Sequence, residues 1–138
     1  MRKSCLLLVL CLFAASTASA QISLFTGNWK NSNPSTRGIV KLTVAGTTPV
    51  LSIQVWGACT PSPCDWGKNT AYAYGPNVTT NPVTSATAVT TIYTTSFSQT
   101  ILTLHRDPTG LIVSLYTRFT DKSGRFAYTS TEHFVKVP

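Results

Sequence analysis

Acidic residues are scarce in this 138-residue chain, which has only four of them, at Asp65, Asp107, Asp121 and Glu132. Glycosidases need a pair of opposed carboxylates and zinc sites need several spaced ligands, and the four acids show neither spacing. The chain also lacks a nucleophile motif and a phosphate-binding loop. The sequence therefore predicts a non-catalytic protein without a metal or a cofactor.

Clusters of basic residues are also missing, although lysine and arginine number 11 and the formal net charge is +7. The basic residues are spread along the chain, whereas nucleic-acid-binding proteins usually group them on one surface. The sequence thus indicates no nucleic-acid partner. A positive net charge is consistent with a soluble surface or with attraction to anionic glycans and envelopes.

Long hydrophobic segments are absent, because the one extended apolar run, residues 5–15, is too short to span a bilayer. It follows Arg2 and Lys3 and precedes the small residues Ala18-Ser19-Ala20, as in a secretory signal peptide with an A-x-A cleavage site. We expect residues 1–20 to be removed and the protein to be secreted or periplasmic, without stable membrane insertion. Residues 21–138 then form a single domain. This segment contains nine basic and four acidic residues, so its net charge is +5.

No segment carries the apolar stripe of an amphipathic helix. Short runs rich in Val, Ile, Thr, Tyr and Phe alternate instead with Gly, Pro, Asn and Asp, which is the pattern of an all-β protein. The predicted strands are 24–30, 38–45, 50–57, 70–75, 86–95, 99–106, 111–120 and 125–136. Eight strands joined mostly by short loops predict an antiparallel up-and-down barrel, because closure removes exposed sheet edges. A two-sheet β-sandwich is the alternative.

Alternation with a period of two sorts the strand residues into two faces. The aliphatic face comprises Val40, Leu42, Val44, Leu51, Ile53, Val55, Leu102, Leu104, Leu111, Val113, Leu115 and Phe119. The polar-aromatic face comprises Gln54, Trp56, Tyr116, Arg118, Tyr128, Ser130 and Glu132. An aliphatic interior predicts a packed core or an apolar cavity under a Thr-rich exterior. A polar-aromatic interior predicts a hydrogen-bonding pocket, with the aliphatic exterior covered in a homo-oligomer.

Only two of the four cysteines, Cys59 and Cys64, follow the predicted signal peptide, within the segment "WGACTPSPCDWG" at residues 56–67. An isolated pair in an exported domain predicts a disulfide, since zinc would need further ligands and the spacing is not that of a redox C-x-x-C motif. The loop should form a covalently held lip on the barrel. Trp56 and Trp66 flank it, and they either fill space beneath the loop or form a rigid recognition platform.

The segment "FTGNWKN" (25–31) resembles the first strand of avidin-type barrels, with Gly27, Trp29 and Asn31 in the pattern G-x-W-x-N, and "EHFVKVP" (132–138) is similar to the last strand of the streptavidin branch. The wider calycin group shares G-x-W. The resemblance implies that Asn31 contacts a ligand and that Glu132, where the family has Asp, accepts a hydrogen bond from a ureido N–H. It also implies that Trp29 plugs the closed end of the barrel under a basic residue, for which Arg118, Arg125 and Lys136 are the candidates.

These observations predict a secreted binding barrel that holds a small ligand. The candidate contact residues are Asn31, Trp56, Trp66, Tyr116, Arg118, Tyr128 and Glu132. The alternative is a protein-binding or enzyme-inhibitor module that engages an extracellular protein through loop 56–67. A catalytic alternative, a hydrolase or isomerase, would use His105 as a base oriented by Asp107.

Overall fold

The computed structural model describes residues 21–138, so the predicted signal peptide lies outside the described residues. The chain forms a closed, eight-stranded antiparallel barrel in which each strand pairs with the next and the last pairs with the first. The strands are β1 Gly27–Asn31, β2 Ile39–Ala45, β3 Val50–Gly57, β4 Cys64–Tyr74, β5 Ala88–Thr94, β6 Ser98–Asp107, β7 Gly110–Phe119 and β8 Tyr128–Val137. The predicted up-and-down barrel is confirmed, and the sandwich alternative is wrong.

Two short helical turns accompany the barrel, a 3-10 turn at Ile22–Leu24 and helix α1 at Pro82–Ser85. The 3-10 turn occupies the predicted start of the first strand, which begins only at Gly27. The fourth strand begins at Cys64 and not near residue 70, because its first residues continue the ladder with β3 after a bulge. Among residues 21–138, no helix has the length and apolar character needed to cross a bilayer.

The aliphatic face lines the barrel and fills its interior. Of the two alternatives, an aliphatic and a polar-aromatic interior, the first is confirmed. Leu42, Ile53, Leu104 and Val113 are at most 1% exposed and belong to one continuous core. Burial of this apolar surface is the main driving force for folding. The opposite sides of the strands carry many threonines toward solvent.

Two face assignments are wrong. Val40 is only half-buried and Ile39 takes its place in the core, because the β2–β3 register shifts between Ile39 and Lys41. In β8, Tyr128, Ser130 and Glu132 lie on the inner face, opposite Thr117, Leu115 and Val113. These three residues look like an outer face in the sequence because they are polar or amphipathic. They point inward at the end of the barrel where the apolar core stops.

Trp29 closes the barrel at the end formed by loops 46–49, 75–87 and 108–109. Its side chain is 1% exposed, and its indole Nε1 donates to the carbonyl oxygen of Phe25 at 2.9 Å. Lys136 Nζ lies 5.4 Å and Arg106 Cζ 5.8 Å from the indole centroid, within cation–π range. The prediction that Lys136 covers the Trp29 ring is confirmed. The second cation over this ring is Arg106, and the other two candidates, Arg118 and Arg125, do not contact it.

Candidate functional site at the mouth of the barrel

The other end of the barrel, which we call the mouth, is formed by loops 32–38, 58–63, 95–97 and 120–127. It holds two adjoining cavities. The aromatic lobe has a volume of about 460 Å³, and its walls include Trp66, Tyr93, Phe97, Thr117, Phe119 and Tyr128. The polar lobe has a volume of about 380 Å³, and its walls include Arg37, Cys59, Trp66, Tyr128, Ser130 and Glu132. Trp66 and Tyr128 border both lobes, so the two cavities meet at these rings.

Trp66 reaches the mouth because of a bulge in β4. Gln54 pairs with Lys68 and Trp56 pairs with Asp65, so β4 uses three steps where β3 uses two. The extra residue inverts the alternation, and Gly67 accommodates it with φ +85°, a conformation that glycine adopts without strain. The Trp66 ring then packs over Gly57, where an added Cβ would lie 2.7 Å from the indole Nε1.

Tyr93 supports this bulge from inside the barrel. Its hydroxyl group lies 3.1 Å from the carbonyl oxygens of both Ile53 and Gly67, and it donates to them across the irregular β3–β4 pairing. Burial, together with the nearby charge of Asp65, raises the pKa of Tyr93 to about 12. The phenol therefore stays protonated and remains a hydrogen-bond donor at neutral pH.

Glu132 forms the acidic wall of the polar lobe. Its carboxylate accepts a hydrogen bond from Asn31 Nδ2 through one oxygen and from Thr36 Oγ1, at 3.0 Å, through the other. Asn31 also donates to the carbonyl of Ile39 at 2.8 Å and accepts from the backbone N–H of Asn33 at 2.8 Å. All polar groups of the Asn31 amide are thus used within the protein, and Asn31 orients Glu132 from behind the cavity wall.

Arg37 lies on the exposed rim of the same lobe. Within residues 21–138 it makes no ion pair or hydrogen bond, and Glu132 likewise has no cationic partner within 4.0 Å. The polar lobe therefore presents one positive and one negative side chain that do not neutralise each other.

Arg125, in loop 120–127, lies against the ring of Phe119, one of the walls of the aromatic lobe. The Arg125 guanidinium lies 3.8 Å from the Phe119 ring centroid and forms an ion pair with Asp121 at 2.6 Å. Phe119 is in turn stacked on Tyr128, with 6.2 Å between centroids. These contacts hold the loop against the aromatic wall of the cavity.

The disulfide predicted between Cys59 and Cys64 is present and joins the two ends of the β3–β4 loop. Residues 59–66 are exposed, and Cys59 lines the polar lobe. The bridged loop is thus a lip of the mouth. It stands on the side where Trp66 leaves β4.

Three of the predicted contact residues lie outside the barrel. Trp56 stands on the outer surface under Lys41, whose Nζ is 4.5 Å from the ring centroid. Tyr116 and Arg118 line an outer groove of about 430 Å³, and Arg118 donates to Gln99 Oε1 at 2.8 and 3.0 Å. Hence the structure brings together Trp66, Tyr128 and Glu132 at the mouth, with Asn31 behind them. Trp56 lies apart on the outer surface, whereas Tyr116 and Arg118 line the outer groove, which Tyr128 also borders.

The catalytic arrangement considered for His105 is not formed. His105 is exposed on the outer face of β6, where its imidazole makes no hydrogen bond or ion pair with any described residue. Asp107 instead accepts from the backbone N–H groups of Thr109 and Gly110, which together lower its pKa, and so it caps the β6–β7 turn. Across the part of the chain that the structure describes, no three His, Cys, Asp or Glu side chains are grouped as metal ligands.

Several mouth residues were missed in the sequence, namely Thr36, Arg37, Tyr93, Phe97, Thr117 and Phe119. Tyr93 and Phe119 lie near the ends of predicted strands 86–95 and 111–120. Alternation already placed Phe119 on the aliphatic face, and the same signal was available for Tyr93. Thr36 and Arg37 lie in a loop, where no periodicity indicates direction. Comparison of the chain with protein-family models, with curated proteins and with solved structures found no match.

Proposed function

We propose that the protein is a secreted, non-catalytic binding barrel that holds a small molecule in its mouth. The observation that carries this proposal is the two-lobed cavity, lined by aromatic rings and a few polar groups, above an interior that the aliphatic core fills. Small-molecule sites are typically concave, largely apolar and equipped with a small number of placed polar groups. The avidin-like segments at the two ends of the chain agree with this proposal.

Unused hydrogen-bonding groups support the same proposal. The Trp66 indole N–H and the Tyr128 hydroxyl have no hydrogen-bond partner among residues 21–138, although both rings are held in place at the junction of the lobes. A bound ligand would satisfy these groups while its apolar part covers the rings. Fixed aromatic side chains provide contact area at little entropic cost.

The first experiment is native mass spectrometry of the protein recovered from the secretions of its own host. A non-covalent mass that disappears on denaturation is the expected result. The purified apo protein then supplies the matched test, in which Trp66→Ala should abolish rebinding and Trp56→Ala should not, because only Trp66 faces the mouth. Equal rebinding by both variants would contradict the proposed site.

A protein-binding role for loop 56–67 is the second candidate, favoured by the exposure of residues 59–66 and by their covalent closure. Substitution of the loop tip, as in Ser62→Arg, distinguishes the two functions. It should leave small-molecule binding unchanged, because Ser62 lies on the outer loop and lines neither lobe. A host protein that co-purifies with wild type and is lost with Ser62→Arg would favour the second candidate.

A further inference from the structure

The charge pattern of the polar lobe indicates the class of ligand, and this inference rests on the proposed function. Glu132 is one of only four acidic residues, and two hydrogen bonds from Asn31 and Thr36 fix its orientation. A carboxylate that is partly removed from water is stabilised by a cation or by hydrogen-bond donors. No described basic side chain forms an ion pair with Glu132, so a ligand is free to supply the cation.

Arg37 supplies the opposite charge on the wall of the same cavity, and its side chain makes no ion pair or hydrogen bond with any described residue. A ligand with only an ammonium group would pair with Glu132 and would face the Arg37 guanidinium. A ligand with only a carboxylate would pair with Arg37 and would be repelled by Glu132. A zwitterion matches both, since complementary charges confer selectivity through attraction and through repulsion of the wrong charge.

The aromatic lobe begins at the rings of Trp66 and Tyr128, which also close the polar lobe. Its remaining walls include the rings of Tyr93, Phe97 and Phe119, together with Asp65 and several serine and threonine residues. The three rings suit a flat or bulky apolar group. We propose that the ligand is a free α-amino acid with an aromatic or large aliphatic side chain. Its ammonium group pairs with Glu132, its carboxylate with Arg37, and its side chain enters the aromatic lobe.

Isothermal titration calorimetry of residues 21–138 with three probes tests this inference. L-Phenylalanine carries both charges, 2-phenylethylamine lacks the carboxylate, and 3-phenylpropanoate lacks the ammonium group. Each analogue lacks one of the two charge-assisted contacts, the amine the contact with Arg37 and the acid the contact with Glu132. We therefore expect L-phenylalanine to bind at least about tenfold more tightly than either analogue. Glycine, which has both charges but no side chain, should bind more weakly than L-phenylalanine.

Two variants assign the charges. Glu132→Gln should abolish the preference for L-phenylalanine over 3-phenylpropanoate, and Arg37→Gln should abolish its preference over 2-phenylethylamine. Arg118→Gln is the matched control on the outer surface and should change neither preference. Thermal unfolding of each variant, followed by circular dichroism, identifies any loss of affinity that comes from unfolding.

Equal affinities for the three probes, or no binding of L-phenylalanine, would overturn the zwitterion assignment. The proposed function has its own readout in the aromatic, anionic dye 1-anilinonaphthalene-8-sulfonate, whose fluorescence on binding should fall in Trp66→Ala and not in Trp56→Ala. Dye binding of this kind without amino-acid binding would leave the mouth as a site for another ligand class. Failure of the dye and of every probe would overturn both proposals.

Discussion

The ring of Trp66 packs edge-to-face against the ring of Tyr93, with 5.7 Å between the ring centroids and 75° between their planes. This contact links a buried residue of the barrel interior to an exposed residue of the mouth. Since Tyr93 also bonds the carbonyl of Gly67, it holds both the backbone and the side chain of the β4 bulge. The mouth is therefore positioned by the barrel interior as well as by the disulfide.

Removal of the Tyr93 hydroxyl should loosen the bulge without emptying the core. In Tyr93→Phe, the carbonyls of Ile53 and Gly67 lose a shared donor, and we expect the free energy of unfolding to fall by about 1–2 kcal/mol. Dye or ligand affinity at the mouth should fall with it. Tyr116→Phe is the control, because the Tyr116 hydroxyl is exposed and has no partner among the described residues. Equal urea midpoints for the two variants would refute this role of Tyr93.

The Tyr93 phenol should also make the free energy of unfolding depend on pH. The pKa of Tyr93 is raised from 10.0 to about 12 in the folded protein, so the native state holds the phenolic proton more tightly than the unfolded chain does. The resulting stabilisation is complete below pH 10 and is lost as the pH rises to about 12. Urea unfolding of wild type and Tyr93→Phe across this range should show their difference in stability shrinking. A constant difference would contradict the raised pKa.

The two ends of the barrel should differ in their sensitivity to loss of a tryptophan. Trp29→Ala removes a side chain that is 1% exposed and should cost about 3–5 kcal/mol, because the closed end cannot collapse fully around the cavity. Trp66→Ala removes a side chain that is 38% exposed and should cost about 1–2 kcal/mol. Urea midpoints in the reverse order would show that Trp29 is not the structural plug.

Substitution of Gly57 should displace Trp66 through steric contact. The added methyl group of Gly57→Ala would lie 2.7 Å from the indole Nε1, so the ring must move and mouth affinity should fall. A double-mutant cycle separates this effect from backbone changes. In a Trp66→Ala background, Gly57→Ala should cost little further stability, and an undiminished cost would mean that the contact is not responsible.

Cleavage of the disulfide should affect the lip more than the barrel. The bridge joins residues only five positions apart. Its stabilisation through the entropy of the unfolded chain is therefore near the low end of the usual range for disulfides, about 2 kcal/mol. In the Cys59→Ser, Cys64→Ser double variant we expect a modestly lower Tm with an unchanged β signal in far-ultraviolet circular dichroism. Extensive loss of that signal at ambient temperature would mean that the loop is needed for barrel folding.

Strand number, strand order and the grouping of residues such as Leu51, Ile53 and Val55 on one face could be predicted from the sequence, because alternation with a period of two reports which side chains share a face. Alternation does not report which face lines the barrel, and the structure showed that these three residues are buried. The contact residues were harder to predict. Tyr128 and Glu132 were assigned to the face opposite the one they occupy, since inward residues near a polar mouth do not have to be apolar. The direction of the Trp66 side chain was hard to predict for another reason. A one-residue bulge in β4 inverts the alternation and turns this side chain toward the mouth.

The sequence by itself determined an all-β chain with one aliphatic strand face and one cysteine pair after the predicted signal peptide, since these follow from local alternation, turn residues and counting. Tertiary structure decided that the aliphatic face lines a closed barrel. Tertiary structure alone decided which groups meet at the mouth. Arg37 and Glu132 are far apart in the chain, as are Trp66 and Tyr128, and each pair is joined only by closure of β8 onto β1 and by the β4 bulge. Such contacts depend on strand register, which is a property of pairs of strands and not of any one segment.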